Sequence, residues 1–179
     1  MGKMSRDKGA AYERKVAKIF GKHFDRDLRR VPLSGGLDIK CDIYDPKNDD
    51  FPFFIECKNR KDFRVTSLLQ GEGPLFDIYT KCALDASGSH LLDKYVQSVF
   101  PLVVFRGGDF KIDMVMFTRL IFEIFPVSRV WTDCSFISHR GTFYFMPVLD
   151  FLPHIPSDLV LQPKKHDIKI LDEDDGETD

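Results

Sequence analysis

The sequence is poor in the residues that would build a disulfide framework or a zinc site. Its four cysteines, Cys41, Cys57, Cys82 and Cys134, are isolated, with no CxxC pair and no histidine at ligand spacing. Neither oxidised cross-links nor a thiolate metal centre is expected, and reduced thiols in a cytoplasm are. His23, His90, His139, His154 and His166 form no cluster. No run approaches the ~20 apolar residues of a membrane-spanning helix. The opening MGKMSRDKGAAYERK is charged where a secretory leader would be apolar. There are no internal repeats.

What is present suits a globular chain. Of 179 residues, 43% are apolar and 17 are Phe, enough to bury about 70% of the unfolded surface without a structural metal. Against ~150 residues per domain, this length predicts one domain over residues 1–166, followed by an acidic tail over 167–179 that reads as a disordered end. The net charge of −2 conceals an asymmetry. Residues 1–64 carry 16 Lys/Arg and 11 Asp/Glu, residues 65–166 carry 9 and 10, and residues 167–179 carry 1 and 7. A cationic front half points to contact with a polyanion, and the tail could cover that face when the partner is absent.

Ser5 to Phe24 reads as a helix capped by Ser5, with Tyr12, Val16, Ile19 and Phe20 at helical spacing. Glu13 falls inside the apolar arc. A carboxylate there needs compensation, either from a metal or from an arginine at the rim of a tilted helix. Pro32 and Ser34-Gly35-Gly36 mark a connection. Asp38 to Tyr44 then alternates, with Ile39, Cys41 and Ile43 on one face and Lys40, Asp42 and Tyr44 on the other. DPKNDD is a turn, and Phe53 to Lys58 completes a β-hairpin that puts Phe54, Glu56 and Lys58 on one face. A helix follows over Leu75 to Ala86, a buried strand over Pro101 to Phe105, and an alternating strand over Phe110 to Phe117. Thr118 to Phe125 fits a helix or a strand, Thr142 to Val148 a late strand, and Pro153 to Pro163 a loop. This order of elements implies an α/β or α+β domain with a mixed sheet.

Asp42, Glu56 and Lys58 therefore share a face of adjacent strands, with Glu13 offered from a packed helix. Phosphodiester hydrolysis needs such a set: hard oxygens to hold Mg²⁺ and a lysine to orient or deprotonate the attacking water. Glu-x-Lys alone is weak evidence, since Glu13-Arg14-Lys15 is a second copy. Residues two apart point the same way on a strand and diverge by ~200° on a helix, so only Glu56 and Lys58 can act as a pair.

These segments resemble the PD-(D/E)XK nuclease superfamily, in particular its archaeal-type and phage Holliday junction resolvase branch. KGAAYER (8–14) is similar to the first-helix signature, RRVPLSGG (29–36) to the Ser/Gly connection, CDIYD around Asp42 to the motif aspartate, and FIECKN (54–59) to the ExK strand. A looser likeness runs through GPLFDIYTKCALDA and FPLVVF to Arg106. The resemblance implies a restriction-endonuclease-like mixed central β-sheet flanked by helices. It implies that Glu13, Asp42 and Glu56 bind Mg²⁺ (Mn²⁺ as a substitute) with the Cys57 carbonyl, that Lys58 serves the water, and that Ser34 lies near the scissile strand. Asp38 competes with Asp42 for the motif position, and Gln70 is a further candidate after ExK. A phage origin would place the protein in the host cytoplasm.

Arg6, Lys8, Arg14, Arg29, Arg30, Lys40, Arg60, Lys61 and Arg64 surround these motifs in sequence and are candidates for phosphate contacts. The expectation is a Mg²⁺-dependent endonuclease for branched DNA, homodimeric because a junction is cut on two symmetric strands. The alternatives are a nuclease of the same superfamily for mismatched, nicked or linear duplex, and a catalytically silent DNA-binding or assembly protein of the same fold.

Overall fold

The computed structural model describes residues 3–32, 40–88, 99–123, 135–138 and 141–160. Among the described residues, seven strands form one sheet in the order β1-β2-β3-β4-β5-β7-β6. They are β1 (Arg29–Arg30), β2 (Ile43–Tyr44), β3 (Phe53–Asn59), β4 (Phe100–Gly107), β5 (Phe110–Thr118), β6 (Ser135–Ser138) and β7 (Gly141–Pro147). β3 and β4 are parallel and the other neighbours antiparallel, so the sheet is mixed. Helix α1 (Lys3–Phe24) covers one face and α3 (Pro74–Ser87) the other, with α2 (Val65–Leu69) and α3 in the crossover between the parallel pair. The architecture is thus the α/β, restriction-endonuclease-like one. Among the described residues no helix is long and apolar enough to cross a membrane.

Strand alternation divides the core in two. Phe53, Ile55 and Cys57 of β3 and Leu102 and Val104 of β4 pack with Tyr12, Val16 and Phe20 of α1. Phe54, Val103 and Phe105 face the other way, against Phe76, Tyr79 and Cys82 of α3. Pro74 opens α3 at its first turn, where its missing N–H leaves no bond unmade. At the β4–β5 turn Gly107 has φ of 110°, and a Cβ there would lie 2.2 Å from the Arg60 carbonyl oxygen. Only glycine lets the chain leaving β3 pass so close.

Several elements differ from the sequence expectations. Helix α1 starts at Lys3, so Ser5 lies within it and does not cap it; Lys3 and Met4 are good helix formers with no breaker between them and Ser5. Of the strand expected over Asp38 to Tyr44, residues 38–39 lie outside the described residues, residues 40–42 are not strand, and Ile43–Tyr44 forms β2. A bend at Cys41 and Asp42 turns Cys41 towards the α3 side while Ile43 stays on the α1 side. Arg29–Arg30, expected in a connection, pairs with β2. Thr118 ends β5, and Arg119–Glu123 continues as a 3-10 turn. The late strand stops at Pro147; Val148–Phe151 forms a short helix, α4, and Leu152–His154 a 3-10 turn where a loop was expected.

Candidate active site

Asp42 reaches its position through that bend. Its N–H donates to the Ile55 carbonyl (2.9 Å), and its own carbonyl accepts from the Val31 N–H (3.0 Å). With Ile43 opposite Ile55, a regular strand would carry residue 41 opposite Cys57. Instead Asp42 Oδ2 takes the Cys57 N–H at 2.7 Å. The carboxylate thus replaces a rung of the ladder and is fixed beside β3.

Glu56 and Lys58, two apart on β3, alternate with Cys57 and so project to the α3 side of the sheet. Lys58 Nζ donates to Glu56 Oε1 and stands 3.8 Å from Asp42 Oδ2. The Glu56 and Asp42 side chains are only 17% and 20% exposed, so their charges interact with little screening by water. Burial and the Glu56 charge raise the Asp42 pKa to about 6, against the lowering effect of Lys58. Burial alone would lower Lys58, but the Asp42 and Glu56 charges outweigh it and its pKa is raised. In this arrangement Lys58 is an ammonium donor, able to orient a water.

Glu13 sits on the rim of α1. Of the two compensations open from the sequence, the structure shows the arginine: Arg30 on β1 donates to Glu13 Oε2. Glu13 nevertheless lies near enough to contribute to the upward shift of Asp42.

The donors at Asp42 and Glu56 are hard carboxylate oxygens, the kind a divalent cation such as Mg²⁺ takes. Their mutual repulsion, expressed in the raised Asp42, is what such a cation would relieve. These two fit a divalent ion, with the Cys57 backbone beside them. The expected three-carboxylate cage is not formed: among the described residues no group of three acidic, His or Cys side chains is placed to hold one metal ion. The third expected member, Glu13, is ion-paired with Arg30. Cys41 is buried, which pushes its thiol up to about 12, and burial likewise raises Cys57 and Cys82. All three stay protonated and uncharged.

The family described as "Phage putative PDDEXK endonuclease" matches residues 4–132, a stretch containing Glu13, Asp42, Glu56 and Lys58. The chain belongs to that family. No curated protein and no solved structure matches it. The match runs 26 residues past Arg106, where the recognisable motifs end. The protein is therefore a nuclease of the PD-(D/E)XK superfamily, whose members are generally dependent on divalent metal.

The nine candidate phosphate contacts are not presented equally. Arg6, Lys8, Arg14 and Lys61 are exposed and have no acidic partner among the described residues. Arg29 is held by Asp27, Arg30 by Glu13 and Arg60 by Asp62. Lys40 stands 3.5 Å from Asp85, and Arg64 3.8 Å from Asp109. Ser34 and Asp38 lie outside the described residues, as do His90, His139, His166, Cys134 and the tail. Gln70 closes α2, its N–H on the Thr66 carbonyl. His23 is structural, its Nε2 2.8 Å from the Ile155 carbonyl oxygen.

One residue near the site carried no motif in the sequence. Asp113 on β5 is paired with Lys15 of α1 and lies 3.5 Å from Arg106 of β4. Its charge, after burial, raises the pKa of the buried Tyr12 hydroxyl. Tyr12 and Lys15 flank Glu13, so Asp113 fixes the turn of α1 that carries the third carboxylate. Alternation held the signal: Asp113 is in phase with Val115 and Phe117, on the face that α1 covers.

Proposed function

We propose that the protein is a Mg²⁺-dependent, structure-selective DNA endonuclease acting on branched DNA such as four-way junctions. The observation that carries this reading is the placement of Asp42, in the bend before β2, beside Glu56 and Lys58 of β3, half-buried, with two carboxylates facing one ammonium group. In this reading Asp42, Glu56 and the Cys57 carbonyl hold the cation, and Glu13 joins them when Arg30 moves to a phosphate. The bound cation would screen the phosphate charge and acidify the attacking water. Lys58 orients that water by donating to it, and Asp42 and Glu56 set the ammonium's position. Ser34 lies beside the scissile strand, and a homodimer places two such sites on the symmetric strands of a junction. The products are nicks with 5′-phosphate and 3′-hydroxyl ends.

Cleavage of a four-way junction, a fork and a linear duplex, each with Mg²⁺ and with EDTA, tests the reading. The junction is expected to be cut fastest, and only with the metal. Asp42→Asn or Glu56→Gln is expected to lower that rate by about 10³-fold or more while leaving binding intact. Either variant cutting at the parent rate contradicts the assignment. Equal cutting of the linear duplex leaves an endonuclease without branch selectivity.

A further inference from the structure

Between α1 and the chain that follows it lies an open groove of about 800 Å³, lined among others by Arg14, Lys18, Gly21, Lys22 and Arg29. At Gly21 there is no room for a side chain. The Arg26 N–H donates to the Gly21 carbonyl at 2.9 Å, and a Cβ on Gly21 would lie 2.6 Å from the Arg26 carbonyl oxygen. The chain therefore turns back hard against the helix.

Arg14, Lys18 and Lys22 follow one another at four-residue intervals, so they form one row of cations along the helix. All three are exposed and have no acidic partner among the described residues. The carboxylates of the lining are Asp25 and Asp27, and Asp27 is already held by Arg29. Arg30, which holds Glu13, is also in the lining, so the groove and the third expected carboxylate share a residue.

We propose that this groove seats the phosphate backbone of the DNA beside the cut, with Lys18 and Lys22 as contacts additional to Arg14. The relation to the cut rests on the endonuclease reading; the seat itself does not. A small anion is held by donors that converge on one point, and this row does not converge. Its charges are spaced about 6 Å apart along the helix. A duplex carries about one negative charge per 1.7 Å of its axis, so a row with this spacing finds phosphates in any register and whatever the bases. That is the contact an enzyme selecting DNA shape requires.

The test compares two doubly substituted proteins of equal net charge. Lys18→Gln/Lys22→Gln alters the groove, and Lys81→Gln/Lys111→Gln removes two exposed cations elsewhere. The affinity of each for a four-way junction is measured in EDTA, where nothing is cut, across a series of salt concentrations. The groove variant is expected to lower the slope of log affinity against log salt by about 2, and by nearly 3 when Arg14→Gln is added, whereas the other pair leaves the slope at the parent value. Circular dichroism checks that each variant is folded. Equal slopes for the two doubles, or a groove variant that binds as the parent does, overturns the proposal. The two readings fail separately. If the groove variant loses slope while the parent cuts no DNA with any divalent ion, the seat stands and the endonuclease reading falls. If Asp42→Asn abolishes cutting while the groove variant binds normally, the seat falls and the active site stands.

Discussion

Asp42 is the residue at which stability and chemistry pull apart. An aspartate that ionises at 3.8 in the open chain and at about 6 in the folded one binds its proton more tightly when folded. Its contribution to stability is therefore greatest when protonated, falls as pH rises from about 4 to about 6, and stays low above that, by up to about 3 kcal/mol. Asparagine cannot ionise but can still accept the Cys57 N–H. In EDTA, Asp42→Asn is thus expected to melt at a higher temperature than the parent at pH 8 and to lose the decline between pH 4 and 6, read by thermal denaturation. A variant that melts lower at pH 8 would mean the carboxylate is not under strain. The sequence made Glu56 and Lys58 legible because a strand of period two leaves them one arrangement. It placed Asp42 on the right turn of chain but not its bend, because the bond to the Cys57 N–H joins residues 15 apart. The pairing of Glu13 with Arg30 was one of two open choices, settled by the register of a two-residue strand.

Among the elements, those with long periodic runs were legible: α3 and strands β3, β4 and β5 fall within a few residues of expectation. The short ones were not. Strand β1 has two residues and carries no periodicity. Helix α2 has five, and the first N–H of its run, on Val65, is served by Asp109 Oδ2, a partner 44 residues away that no local pattern announces. The same turn region yields a prediction. Gly107→Ala must place a side chain at a φ of 110° and 2.2 Å from the Arg60 carbonyl oxygen. It is expected to cost more than about 2 kcal/mol in denaturant unfolding. Gly88→Ala, whose Cβ would come no closer than 3.6 Å to any atom of the described residues, is expected to stay within about 0.5 kcal/mol of the parent. Asp113→Ala strips Lys15 and Arg106 of their shared partner and is expected to destabilise by about 1 to 2 kcal/mol. Its effect on cleavage should exceed its effect on binding, since it loosens the turn of α1 that carries Glu13. Equal losses in both would make Asp113 a packing residue only.

At the scale of the whole chain, the sheet order sets β1, with Arg29 and Arg30, next to β2 and β3, so part of the cationic front half lies one strand from the bend that carries Asp42. The sequence foretold the layers because apolar residues on β3 and β4 alternate between two faces, and both faces must be covered. It could not foretell the groove, which depends on how closely the chain returns at Gly21. The charge contrast between residues 1–64 and 167–179 adds an expectation argued from sequence. Removing residues 167–179 should tighten DNA binding at low salt and have no effect at high salt, where charges more than a few ångströms apart are screened. Unchanged affinity at low salt would show that the tail does not compete for the basic face.

The central claim is that Asp42 and Glu56 hold one divalent cation. Calorimetric titration of the parent, Asp42→Asn and Glu56→Gln with Mg²⁺, and again with Mn²⁺, tests it without recourse to any DNA. The account predicts uptake of metal by the parent and loss of that uptake in both variants. Metal binding that survives in either variant, or a parent that takes up neither ion, would contradict it.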